Sequence, residues 1–286
     1  MKIKNHAVIE VKLKAKNRAM NSKAIIVSAI VFLSLLTIST SAQGQTFSLG
    51  AAQDFAVVSS QGITNSGATV ITGNVALSPL TTITGFTFST TAGEGVVTGS
   101  VHYNDTLAAQ AQTDALAAFN TLAGLAFLPG NDKTGQDLGG MTLSPGVYHF
   151  DTSVDLTGNL TLATGDDPNA VFIFQIGSTL TTSVGSSITV TGAGAGSDPN
   201  VFWQVGSSAT LGNDTIFDGN ILAFASASLG TGADILNGRT IALNGAITLL
   251  SNNISVVPEP ATWAMLFSGM SLLGFWNWQR RRYFNA

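Results

Sequence analysis

Hydrophobic residues in this chain fall into three regimes. Two apolar runs, at residues 24–38 and 262–278, stand near the ends. Between them, short runs rich in Val, Ile, Leu, Phe and Thr are separated by Gly, Asn and Ser. Runs of that length bounded by such residues predict short β-strands. In Ser226-Ala227-Ser228-Leu229 and Ala246-Ile247-Thr248-Leu249 the alternation is clear. It predicts Ala227, Leu229, Ile247 and Leu249 pointing inward, with Ser226, Ser228, Ala246 and Thr248 pointing out. One segment departs from the pattern. Leu107, Ala111, Ala115, Phe119, Leu122 and Leu125 recur at helical spacing, preceded by Asn104 or Asp105 as N-cap and followed by Pro129-Gly130. This predicts an amphipathic helix over about 106–126. The helix divides the strands into an early group, about 47–101, and a later group, about 138–255.

Internal repeats predict how the strands are stacked. The segment from Asp167-Pro168-Asn169 through Phe174-Gln175-Ile176-Gly177-Ser178 returns as Asp198-Pro199-Asn200 through Trp203-Gln204-Val205-Gly206-Ser207. Phe217-Asp218-Gly219-Asn220-Ile221-Leu222-Ala223 returns as Leu236-Asn237-Gly238-Arg239-Thr240-Ile241-Ala242, and Ser228-Leu229 as Thr248-Leu249. The last two pairs are offset by 19 and 20 residues. Three short strands and three turns fill such a unit, which makes one coil of a three-sided parallel β-helix. Stacked parallel strands lie about 4.8 Å apart, so each side becomes a regularly ruled surface.

The ends carry addresses. Seven basic residues from Lys2 to Lys23 precede the first apolar run, and Ser39-Thr40-Ser41-Ala42-Gln43 follows it. This is the layout of a secretory signal peptide, expected to span 1–42 with cleavage after Ala42. Its apolar run of about 15 residues falls short of the roughly 20 that cross a bilayer. At the other end, Val257-Pro258-Glu259-Pro260-Ala261 leads into the second run, with Trp263, Trp276 and Trp278 near its ends and Arg280, Arg281 and Arg282 after it. That pattern suits a short membrane helix over 262–278 with aromatic anchors and cytoplasmic arginines. The expected organisation is a leader (1–42), a solenoid body (43–257) and a C-terminal tail (258–286).

Charge sharpens the contrast. Between residues 45 and 257 the chain holds fourteen acids and only two basic residues, Lys133 and Arg239, a net charge near −12. Nucleic acid is excluded as a partner, because its phosphates require Lys and Arg. There is no Cys, which removes disulfides and thiolate metal sites. Stability must come from packing and backbone pairing.

Two resemblances follow. Pro258-Glu259-Pro260, the apolar run and the Arg cluster resemble a PEP-CTERM sorting tail. The resemblance implies a Gram-negative, exopolysaccharide-making bacterium. The tail would hold the protein transiently in the inner membrane until an exosortase cuts near Pro258, Glu259 and Pro260, leaving the body at the cell surface or in the matrix. The body resembles the ice-binding-protein-like microbial β-solenoids, through Leu49-Gly50-Ala51-Ala52-Gln53-Asp54-Phe55-Ala56-Val57, Ile71-Thr72-Gly73-Asn74-Val75, Pro145-Gly146-Val147-Tyr148, Phe202-Trp203-Gln204-Val205 and Gly219-Asn220-Ile221-Leu222-Ala223. That family implies a mainly β fold, a discontinuous right-handed three-sided parallel β-helix with one long α-helix alongside. Its active members adsorb to ice through one flat face.

Such adsorption needs small hydroxyl- and methyl-bearing side chains on a rigid surface, with no cofactor and no metal. Aligning the repeats stacks Thr181, Thr210, Ser228 and Thr248 on one side, flanked by Ser208 and Ser226, and Thr64 of Ile63-Thr64-Asn65 joins them. These seven are the candidate ice contacts of a monomer. The alternative reading is a structural or adhesive matrix protein that binds exopolysaccharide. Catalysis ranks below both. A polysaccharide lyase wants an Arg or Lys base, and Arg239 occupies the repeat position matched by Asn220, which predicts a scaffold role. Asp132/Asp137, Asp151/Asp155 and Asp166/Asp167 are the carboxylate pairs available to calcium, although such residues more often serve turns. His102 and His149 have no Gly-x-Ser-x-Gly elbow to serve. Gly192-Ala193-Gly194-Ala195-Gly196 opens no helix and makes a poor phosphate loop.

Overall fold

The computed structural model describes residues 47–87, 94–192 and 200–256. The leader, the sorting tail with its apolar run, and residues 193–196 of the glycine-rich stretch lie outside the described residues. Among the described residues, no helix is long and apolar enough to cross a membrane.

Three parallel sheets form the sides of a solenoid. The first contains, in spatial order, Val101–Tyr103, Asn74–Leu77, Phe55–Ser59, Thr240–Ala242, Asn220–Ala223, Val201–Val205, Phe172–Ile176 and Gly146–Phe150. The second runs Val154–Leu156, Leu180–Thr182, Ala209–Leu211, Ala227–Leu229, Ile247–Leu250, Ile63–Ser66 and Ile83–Thr84. The third begins at Val96–Val97 and ends at Thr142–Leu143. The repeats set the register. Gln175 pairs with Gln204, Leu222 with Ile241, and Ser228 with Thr248.

The stacking order is discontinuous. Phe55–Ser59, first in the sequence, pairs with Asn74–Leu77 on one side and with Thr240–Ala242 on the other. Arg239 clamps this seam. Its Nε donates to Phe55 O at 3.2 Å, Nη2 to Gln53 O at 3.0 Å, and Nη1 to Asn220 Oδ1 at 2.5 Å. The side chain is 5% exposed. One buried guanidinium therefore ties the entering strand to the final coils.

Burial differs between the sides because only one is covered. The central strands of the first sheet are buried along their whole length. Phe174, Trp203 and Ile221 face the solenoid interior, while Ile173, Phe202, Leu222 and Ile241 face helix α1, Thr106–Ala123. Both faces of these strands are mostly apolar, as full burial demands, with Gln175, Gln204 and Asn220 among the buried polar exceptions. In the interior, Tyr148, Phe174 and Trp203 stack coil upon coil, with ring centroids 5.5 and 3.8 Å apart.

Helix α1 starts where Asp105 Oδ1 accepts from Ala108 N at 2.8 Å, an N-cap of the expected kind. It ends at Ala123, short of residue 126, with Gly124 as C-cap. Gln175 Nε2 donates to Leu122 O and Leu125 O, so a sheet side chain satisfies carbonyls that a longer helix would have paired. The buried stripe is Ala108, Ala111, Ala115, Ala118, Phe119 and Leu122. Leu107, expected in the stripe, is instead 55% exposed. Alanines let the helix axis approach the sheet closely, and Leu107 lies one residue off that line.

Candidate functional site

The second and third sheets each keep an outward face open, and the second presents the more regular one. Its strands alternate, each outward residue exposed or half-buried between buried ones, with Leu180, Ala209, Leu211, Ala227, Leu229, Ile247 and Leu249 all inside. These inward residues fix the register, because a one-residue slip would turn the apolar set outward. The outward residues are thereby fixed too.

They form a single row. Asp155 pairs with Thr181, Thr181 with Thr210, Thr210 with Ser228, Ser228 with Thr248, Thr248 with Thr64, and Thr64 with Thr84. Adjacent members are spaced by the strand separation of about 4.8 Å. Six consecutive hydroxyls, from Thr181 to Thr84, thus span roughly 24 Å. Thr64, Thr181 and Thr210 are exposed, while Ser228 and Thr248 are half-buried between their neighbours.

A second row flanks the first, two residues earlier in each coil: Ser153, Thr179, Ser208, Ser226, Ala246, Gly62 and Thr82. Backbone bonds carry the ladder through it. Val154 N donates to Thr179 O, Leu180 N to Ser208 O, Ala209 N to Ser226 O, Ala227 N to Ala246 O, Ile247 N to Gly62 O and Ile63 N to Thr82 O, at 2.8–3.1 Å. Thr179 Oγ1 donates to Ser153 Oγ at 2.8 Å, and Ser226 N to Ser208 Oγ at 3.4 Å. Across both rows Asp155 is the single charged side chain.

The structure therefore brings Thr64, Thr181, Thr210, Ser228 and Thr248 into one row, with Ser208 and Ser226 in the row beside it. Sequence reasoning missed Thr84. Its strand, Ile83–Thr84, is only two residues long; its match to Ile63-Thr64, 20 residues earlier, is the available signal. Pro258, Glu259 and Pro260 lie outside the described residues.

Other groups with acid–base character lie away from the two rows and make scaffold contacts. Asp137 Oδ1 accepts from Gly139 N and Thr157 N. Asp132 Oδ1 accepts from Thr134 N, which holds its carboxyl below the usual range. Asp167 Oδ1 accepts from Asn169 N in a turn. His102 Nδ1 meets Asp105 at 2.7 Å beside the N-cap. His149 lies between Gln175 Oε1 at 3.1 Å and Asp151 Oδ1 at 2.9 Å, with Phe127 stacked on its ring at 4.3 Å. Burial pulls the His149 pKa down, but the hydrogen bonds to Asp151 and Gln175 and the charges of Asp151 and Asp132 outweigh it and raise it. Among the described residues, no group of three or more His, Asp or Glu is placed to hold a metal ion.

Comparison with known proteins agrees along nearly the whole length. The profile of the ice-binding-like family matches residues 57–255, and that of the PEP-CTERM protein-sorting motif matches 256–282. An ice-binding protein of Nostoc sp. (strain HG1) is 46% identical over 269 residues, covering 90% of this chain and 95% of that protein. One from Colwellia sp. is 33% identical, covering 74% and 84%. Among solved structures, an ice-binding protein from an Antarctic biological consortium superposes with a TM-score of 0.67 at 39% identity, covering 73% of this chain and 90% of that one. The ice-binding protein of the Antarctic ascomycete Antarctomyces psychrotrophicus gives 0.66 at 40% identity, covering 74% and 99%.

Proposed function

We propose that this chain, which belongs to the ice-binding-like family, adsorbs to ice through the outward face of its second sheet. The observation that carries the reading is the unbroken row Thr181–Thr210–Ser228–Thr248–Thr64–Thr84. Each hydroxyl can hydrogen-bond a water, and each threonine methyl excludes one. The row is preorganised by the buried residues beneath it, so little side-chain or backbone freedom is lost on adsorption. Neutral groups also matter. A charged side chain holds its hydration strongly and would keep liquid water between protein and lattice. The similarly folded ice-binding proteins support adsorption to ice.

The protein acts without catalysis in this account. Arg239, one of two basic residues in the body, is engaged by three backbone and side-chain acceptors at the seam. The sorting motif at 256–282 supports export. The leader ends near residue 42, the tail holds the protein transiently in an inner membrane, and an exosortase cuts near Pro258-Glu259-Pro260. A monomeric body of about 43–257 is left at the cell surface or in the extracellular matrix.

The test is crystal shaping and recrystallisation inhibition by purified mature protein, beside sedimentation with exopolysaccharide. Activity on ice without polymer binding supports the proposal. Polymer binding with no effect on ice replaces it with an adhesive matrix role.

A further inference from the structure

The hydroxyl row stops at Thr181, yet the flat surface does not. One coil further on, Val154 and Leu156 are buried as their counterparts are, so the backbone presents residue 155 just as it presents Thr181. The flanking row is also intact there, since Ser153 accepts from Thr179. Only the side chain changes: the next position holds the exposed carboxylate of Asp155.

A charge at the end of a β-solenoid often guards a bare strand edge against pairing with another chain. This edge is already occupied. Leu138 N donates to Asp155 O at 3.0 Å, and Thr157 N donates to Asp137 Oδ1 at 3.1 Å. The segment around Asp137 and Leu138 covers the strand, so edge protection does not explain the charge.

We infer that Asp155 sets the length of the ice-binding row, ending it at Thr181 by holding water of its own on a surface otherwise shaped to continue. This rests on the reading of the second sheet as the ice face and adds to it a residue that limits activity. The carboxylate costs the face one ice-binding position and weakens the next, because hydration held at Asp155 lies about 4.8 Å from Thr181.

Asp155→Thr and Asp155→Asn test this in the mature protein, with Thr181→Asp as the converse. Thermal hysteresis is measured at equal concentration, with light scattering to record mass. Asp155→Thr should raise hysteresis on the order of twofold, the effect of lengthening the row by one weakly binding hydroxyl. Asp155→Asn should give part of that rise, and Thr181→Asp should lower activity by at least as much. Wild-type hysteresis in folded, monomeric Asp155→Thr and Asp155→Asn overturns the inference while leaving the ice face standing, as does a rise confined to associated species. If Asp155→Thr does not fold, undiminished activity of Thr181→Asp overturns it alone. An inactive wild type overturns the face and the inference together.

Discussion

Thr64 and Thr248 stand side by side on adjacent strands, although most of the domain separates them in sequence. The first coil docks on the last, and the row of hydroxyls crosses that junction without a break. The working surface is therefore only as continuous as the seam beneath it.

Arg239 holds that seam, and its loss should be felt in both stability and function. Arg239→Ala leaves Phe55 O, Gln53 O and Asn220 Oδ1 without their donor. Stranding a buried acceptor costs about 1–3 kcal/mol. A loss of at least about 2 kcal/mol is expected, read as a lowered Tm in circular dichroism, with weaker ice activity from the splayed row. An unchanged Tm would show that the guanidinium is dispensable.

Stability should also depend on pH through His149. Both ring nitrogens face acceptors, Gln175 Oε1 and Asp151 Oδ1, and Gln175 is oriented by the helix carbonyls it donates to. Only the protonated ring donates to both. The folded pKa is raised above 6.5, so the stabilisation is fully present below that value and is lost as pH rises through the folded pKa. Tm should fall as pH rises above about 6.5 and through the raised folded pKa. His149→Gln should flatten that dependence, and a wild-type Tm that rises over the range would contradict the assignment.

Processing gives a third check. Intact-mass analysis of extracellular protein should show the chain starting near Gln43 and ending near Pro260. Finding residues 262–282 still attached in the matrix fraction would rule out the proposed cleavage.

Much of this architecture can be read from the repeats, and the failures have physical causes. The later coils are legible because Ser228-Leu229 and Thr248-Leu249 recur one coil apart, so alternation and period agree. The seam is not legible, because the pairing of Val57 with Thr240 depends on a non-local fit that no local pattern encodes. The helix stripe goes astray at Leu107 because hydrophobicity alone favours a leucine over its neighbour, whereas close packing against the first sheet selects Ala108. Thr84 escapes because two residues carry too little periodicity to mark a strand.

The central claim is that the outward face of the second sheet meets ice. Thr248 sits mid-row between Ser228 and Thr64, half-buried at the surface. Replacing it with lysine should change stability by less than about 0.5 kcal/mol, as surface substitutions usually do. The decisive measurement is thermal hysteresis of Thr248→Lys beside wild type and Thr142→Lys, an exposed position on the third sheet. The account predicts that Thr248→Lys loses most activity with Tm and circular dichroism unchanged, while Thr142→Lys stays at wild-type level. Full hysteresis in a folded Thr248→Lys, from an active wild type, would contradict it.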